Sequence, residues 1–99
     1  MIKPFSETVK ETARKSAKFR IGLLNEAVIC IAGGEAAVAK ILLRDYIDST
    51  IGFKKAAKLM GKEPQAVMRM LRPSGKPSLD NISKLLASLH KHEGVDPCA

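Results

Sequence analysis

The stretch Gly52-Phe53-Lys54-Lys55-Ala56-Ala57-Lys58-Leu59-Met60-Gly61-Lys62-Glu63-Pro64-Gln65-Ala66-Val67-Met68-Arg69-Met70-Leu71-Arg72 interleaves apolar and basic residues at helical rather than strand spacing. Phe53, Ala56, Ala57 and Met60 recur on one helical face, and Gly61 interrupts the run. Pro64 suits the first turn of a following helix whose buried face is Val67, Met70 and Leu71. Ala57, Gly61 and Val67 therefore stand at the spacing of a helix-turn-helix, and each position has a mechanical reason. A small residue at 57 lets the second helix cross closely over the first, Gly61 supplies the backbone conformation of a tight turn, and Val67 locks the second helix to the core.

Working outward, Arg72-Pro73-Ser74-Gly75-Lys76-Pro77 is a turn segment, and Ser78 caps a last helix with the stripe Leu79, Ile82, Leu85, Leu86 and Leu89, ending near Gly94. Upstream, Ser49-Thr50-Ile51-Gly52 breaks a helix that starts at Glu35. In that helix Val38, Ile41, Leu42 and Ile47 are expected to bury while Lys40 and Arg44 face out. Lys18 to Ala32 is apolar on nearly every side, which places it at the centre of the fold or against a subunit partner, and Gly33-Gly34 ends it. Ser6 is expected to cap a first helix, behind Phe5, that runs to about Lys15 with Val9 and Ala13 on one face. The expectation is an all-α fold of about six helices in a single domain over 1–99, with N-terminal helices in 1–50 and the helix-turn-helix and its following helix in 52–92.

Composition agrees with that reading. Ninety-nine residues form one core, and 45% hydrophobic residues distinguish a folded domain from a disordered basic tail. The net charge of +7 is unevenly spread: 1–20 carries +4, 21–53 carries −2, 54–76 carries +6 and 77–99 carries −1. In the third segment seven bases meet only Glu63, so a polyanion partner is expected on the helix-turn-helix side. Two cysteines make no disulfide framework, and with no signal-peptide pattern the cytoplasm is the expected compartment. The longest strongly apolar stretch, Ala27 to Gly34, is too short to span a membrane.

A wheel of 63–72 sets Gln65, Met68, Arg69 and Arg72 opposite Val67, Met70 and Leu71. These residues are expected to face a DNA major groove: Gln65 can pair bidentately with adenine, Arg69 with guanine, and Met68 can rest on a thymine methyl. Lys54, Lys55, Lys58, Lys62, Arg72 and Lys76 are the expected phosphate contacts, which position the protein without reading sequence.

Other chemistry is weaker. His90, His92 and Cys98 are too few and too dispersed for a zinc site; the histidines read as a polar helix end facing the negative pole of the dipole. No strand-borne nucleophile or oxyanion loop accompanies the serines and histidines, so no enzyme activity and no cofactor is expected. Cys30 reads as a small buried hydrophobe and Cys98 as an exposed thiol.

The run Leu43-Arg44-Asp45-Tyr46-Ile47 through Gly52-Phe53, Ala57, Gly61 and Met68-Arg69-Met70-Leu71, followed by Pro73-x-Gly75-x-Pro77 and an amphipathic helix, resembles the addiction-module antidote proteins. These are antitoxin-type transcriptional regulators related to the Cro and phage-repressor helix-turn-helix domain. The resemblance covers about 40–94. It implies a homodimer on a palindromic double-stranded DNA operator, repression of the chain's own operon, and neutralisation of a RelE/ParE-like toxin encoded beside it. Lys62 departs from the family, which places an apolar residue there, and Glu63-Pro64 replaces the usual Ser or Thr cap. Two other readings are a protein-binding module that masks a toxin or other partner, with DNA binding secondary or lost, and a sequence-independent nucleic-acid binder. The last leaves the Ala57, Gly61 and Val67 spacing unexplained and lacks stacking aromatics.

Overall fold

A computed structural model describes residues 5–95, with side chains from Glu7 onward. Over that range the chain is all-helical: α1 (Phe5–Lys15), α2 (Ala17–Ala32), α3 (Ala36–Ser49), α4 (Gly52–Met60), α5 (Pro64–Met70) and α6 (Leu79–His92). Cys98 lies outside the described residues. None of the described helices is long and apolar enough to cross a membrane.

The starts and stops follow local chemistry. Ser16 caps α2 by accepting the Phe19 amide at 3.1 Å, and Ser78 caps α6 by accepting the Asn81 amide at 3.1 Å. The Ser16 cap starts α2 at Ala17, one residue before the Lys18 that the apolar pattern indicates. Ser6 is not the expected cap of α1, because the helix already includes Phe5. At its far end α3 satisfies its own last carbonyls: the Ser49 hydroxyl donates to Asp45 O at 2.7 Å and the Thr50 hydroxyl to Tyr46 O at 2.6 Å.

The main core gathers Leu24 and Ala27 of α2, Ala39, Leu43, Tyr46 and Ile47 of α3, Ala56 and Ala57 of α4, Val67 and Met70 of α5, then Leu71, Leu85 and Leu89. Each fully buried leucine in it contributes roughly 1.5–3 kcal/mol of transfer free energy. A smaller cluster of Val9, Ala13 and Leu23 docks α1 on the outside. Val9 and Ala13 thus bury as expected.

Several burial expectations fail for identifiable reasons. In α3 the inward arc is Ala39, Leu43, Tyr46 and Ile47, while Val38 and Ile41 are 42% and 51% exposed. Ala36 to Leu43 is apolar everywhere except Lys40, so its pattern does not select a face; the buried Tyr46 and Ile47 do. Nor does Lys40 face outward: half-buried, it reaches across to the loop after α5. Helix α2 is not central either. It buries Leu23, Leu24 and Ala27 and leaves Val28 and Ile29 exposed, because α1, α3 and α6 together cover only part of its circumference. Leu79, expected in the α6 stripe, opens the helix at 82% exposure, and Cys30 is half-buried, 4.0 Å from Glu26 Oε1.

Candidate nucleic-acid interface

Helix α4 ends in a Schellman-type cap. Gly61 takes a left-handed backbone at φ 68, the Lys62 amide donates to Ala57 O at 2.9 Å, and the Gly61 amide donates to Lys58 O at 3.2 Å. Nothing within 4 Å would meet a Cβ at Gly61, so its requirement is conformational rather than steric. Pro64 then opens α5, and Glu63 makes no side-chain cap bond. Of the three motif positions, Ala57 and Val67 lie in the core and Gly61 in the turn between α4 and α5.

With Val67 and Met70 turned inward, α5 exposes Gln65, Met68 and Arg69, and Arg72 beyond its end is exposed as well. Recesses flank this ridge on both sides. One, of about 360 Å³, is bordered by Lys62, Arg69, Lys76 and Asn81 and lies between α5, the loop at 75–77 and the start of α6. The other, of about 200 Å³, is bordered by Arg44, Asp48, Phe53, Met68 and Arg72. The fold therefore divides the expected phosphate set. Lys62 and Lys76 join Arg69 on one flank and Arg72 lies on the other, while Lys54, Lys55 and Lys58 are exposed on α4 and border neither recess. Lys62 is half-buried rather than freely exposed.

Three residues at this surface were not singled out in the sequence. Arg44 arrives from α3 beside Met68 and Arg72; Asn81 arrives from α6. Lys40 donates to the carbonyls of Pro73 at 2.9 Å and Gly75 at 2.8 Å. All of these are long-range relations that no local pattern encodes.

Ion pairs among the described residues join Lys10 to Glu7 and Asp48, Arg20 to Glu93, and Lys84 to Asp80. None draws on a base from 54–76. The +6 of that segment is therefore tied up in no ion pair among the described residues and is spread across α4, α5 and the following loop.

A third recess, of about 350 Å³, is bordered by Arg14, Arg20, Ser49, Thr50, Ile51, His92 and Glu93. The C-terminal ends of α1, α3 and α6 converge there. Such ends carry negative partial charge, which Arg14, Arg20 and His92 offset. Inside it Glu93 Oε2 accepts from Arg20 Nε at 3.0 Å and from the Tyr46 hydroxyl at 2.5 Å, and Arg20 Nη1 also donates to Ala13 O at 3.0 Å. Burial works to raise the Glu93 carboxyl, but the hydrogen bonds from Tyr46 and Arg20 and the guanidinium charge outweigh it and hold the group below its usual range. Burial first, and then the Glu93 carboxylate, push the Tyr46 hydroxyl upward. This network ties α2, α3 and the end of α6 together and is structural. It accounts for part of the N-terminal basic surplus.

His90 corrects the expectation of a polar helix end: it is 1% exposed. Its Nδ1 donates to Leu86 O at 2.8 Å, and Nε2 stands 3.3 Å from Asn25 Oδ1. Among the described residues no group of three or more His, Cys, Asp or Glu is placed to hold a metal ion.

Neither a scan against protein-family models nor searches of curated proteins and of solved structures find a match to this chain.

Proposed function

We propose that the chain is a sequence-specific double-stranded DNA-binding regulator whose α4 and α5 act as a Cro-like helix-turn-helix, in the role of an autorepressing antitoxin. The observation that carries this reading is the exposed ridge Gln65, Met68 and Arg69, continued by Arg72, on and just past a helix held by a Schellman turn, flanked by Lys62 and Lys76, which form no ion pair among the described residues. In this reading α5 enters the major groove, Gln65 and Arg69 meet base edges, and Met68 covers a thymine methyl. Lys62 and Lys76 on one flank and Arg72 on the other follow the phosphates, with Lys54, Lys55 and Lys58 contributing from α4. A homodimer would present two such ridges to a palindromic operator, and a RelE/ParE-like toxin would be the protein partner.

Fluorescence anisotropy on the chain's own upstream duplex and on a scrambled duplex, each at two salt concentrations, tests it. Arg69→Ala is expected to cost roughly 1–3 kcal/mol on the operator and much less on the scrambled sequence. An equal loss on both would assign Arg69 to a phosphate, and no preference for the native duplex would remove the regulator reading.

A second reading, a protein-binding module with DNA binding secondary, is favoured by Val28, Ile29, Val38 and Ile41, which α2 and α3 leave exposed. Co-purification with the product of the neighbouring gene, lost on Ile29→Glu or Ile41→Glu while duplex binding persists, would support it.

A further inference from the structure

The loop between α5 and α6 is built to hold Lys76 in place. On one side it borders the recess shared by Lys62 and Arg69; on the other it walls an apolar groove of about 530 Å³ formed with Ile31, Ala39, Leu43 and Leu79. A loop backed by open groove has little packing to fix it. What fixes it is polar: the Gly75 amide donates to Arg72 O at 2.8 Å, and the Lys40 ammonium spans the carbonyls of Pro73 and Gly75. Those carbonyls lie 33 and 35 residues from Lys40 in sequence. An ammonium carries three donors on a flexible stem, so one group can serve two carbonyls separated by a single residue. The loop also sits tightly on the end of α5, since a Cβ at Gly75 would fall 2.2 Å from Arg69 O and 2.7 Å from Met70 O.

We infer that Lys40 is a positioning residue for DNA binding: by holding the Pro73 and Gly75 carbonyls it sets Lys76 beside Lys62 and Arg69, although it touches no nucleic acid itself. The inference rests on the DNA-binding reading above and deepens it. Lys40 and Lys76 then act as one unit, and removing either should forfeit the same phosphate contact.

The test is a double-mutant cycle of Lys40→Met, Lys76→Ala and the pair, measured by anisotropy on the native duplex over a salt series, with Lys40→Arg as the conservative variant. Each phosphate contact contributes a slope of about 0.9 in log affinity against log salt, so the ratio of wild-type to variant affinity should widen about threefold as salt falls from roughly 200 to roughly 50 mM. Lys40→Met and Lys76→Ala are each expected to show this change. The double variant should show it once, and Lys40→Arg should largely restore the wild-type slope. A merely structural role would lower the melting temperature without changing the slope. Additive losses in the double variant, or a wild-type slope in Lys40→Met, would overturn the Lys40 inference and leave the DNA reading standing. Absence of wild-type duplex binding would overturn both. Should Lys40→Met fail to fold, Lys40→Gln takes its place in the same cycle.

Discussion

Gly75→Ala should be among the most damaging conservative changes in this chain, although Gly75 has no positive φ. The new methyl would stand 2.2 Å from the Arg69 carbonyl, 2.7 Å from that of Met70 and 3.1 Å from that of Arg72, where an ordinary contact begins at 3.4 Å. All three neighbours are backbone at the end of α5, so no side chain can swing away, and the loop must lift by about 1 Å, the gap between 2.2 Å and 3.4 Å. That movement weakens two hydrogen bonds now at 2.8 Å, Gly75 amide to Arg72 O and Lys40 Nζ to Gly75 O. A neutral bond contributes about 1 kcal/mol and one to a charged group about 1.5–3 kcal/mol, so their partial loss costs about 2 kcal/mol. Residual overpacking adds at least about 1 kcal/mol. A total near 3 kcal/mol is a large share of a stability of roughly 5–15 kcal/mol, and it should lower Tm by roughly 12–24 °C for a domain of this size. Gly61→Ala is the internal comparison. Nothing within 4 Å meets its Cβ, so only the φ of 68 matters, at a cost of about 1–2 kcal/mol. Urea and thermal unfolding followed by circular dichroism measure both. If Gly75→Ala melts within a degree or two of wild type, the loop does not sit on α5 as described, and the reasoning fails.

The Arg20-Glu93-Tyr46 network predicts a two-sided pH dependence. Glu93 is lowered in the fold, so its contribution is full above the ordinary carboxyl value of 4.5 and is lost as pH falls through the lower folded value. Tyr46 is raised, so its contribution is full below 10.0 and is lost as pH rises above that. Tyr46→Phe should cost about 1.5–3 kcal/mol at neutral pH, flatten the alkaline loss and weaken the acid one; urea midpoints that shift equally at every pH would contradict this. Arg44→Ala, on the flank of α5 beside Arg72, should reduce the salt slope of duplex binding by about 0.9 with little change in melting temperature. An unchanged slope in anisotropy measurements would place Arg44 outside the interface.

How far the sequence speaks depends on whether its patterns are local. Gly61 and Pro64 announce the α4-α5 turn because both act through their own backbone, and both do in the structure what their chemistry requires. In α6, Leu85 and Leu89 bury as the stripe implies, because Ser83 and Lys84 mark the other side. Where contrast is missing the pattern is ambiguous: from Ala36 to Leu43 only Lys40 is polar, and the spacing points Val38 and Ile41 inward while Ala39 and Leu43 bury. Lys40 itself looked like a solvent-facing base, since nothing near it signals carbonyls more than thirty residues away. The exposed ridge at Gln65, Met68, Arg69 and Arg72 was legible from its wheel. The neighbours that give it flanks, Arg44 and Asn81, were not, because tertiary packing alone brings α3 and α6 there.

The two basic regions of this chain differ in kind, and the difference bears on where a polyanion would settle. In the N-terminal region Lys10 pairs with Glu7 and Asp48, Arg20 pairs with Glu93, and Arg14 sits where three helix C-termini converge. Those charges answer local negative charge, and an anion placed there would compete with Glu93 and with the carbonyl ends of α1, α3 and α6. In 54–76 the seven bases have no carboxylate partner among the described residues. Bringing a phosphate to Lys62, Arg69 or Lys76 breaks no ion pair among the described residues. Bringing one to Arg20 does. The free energy of counterion release is therefore available at the α5 face and offset at Arg20 by the loss of its pair with Glu93, so salt-dependent binding should respond to Lys62 and Lys76 and be nearly indifferent to Arg20.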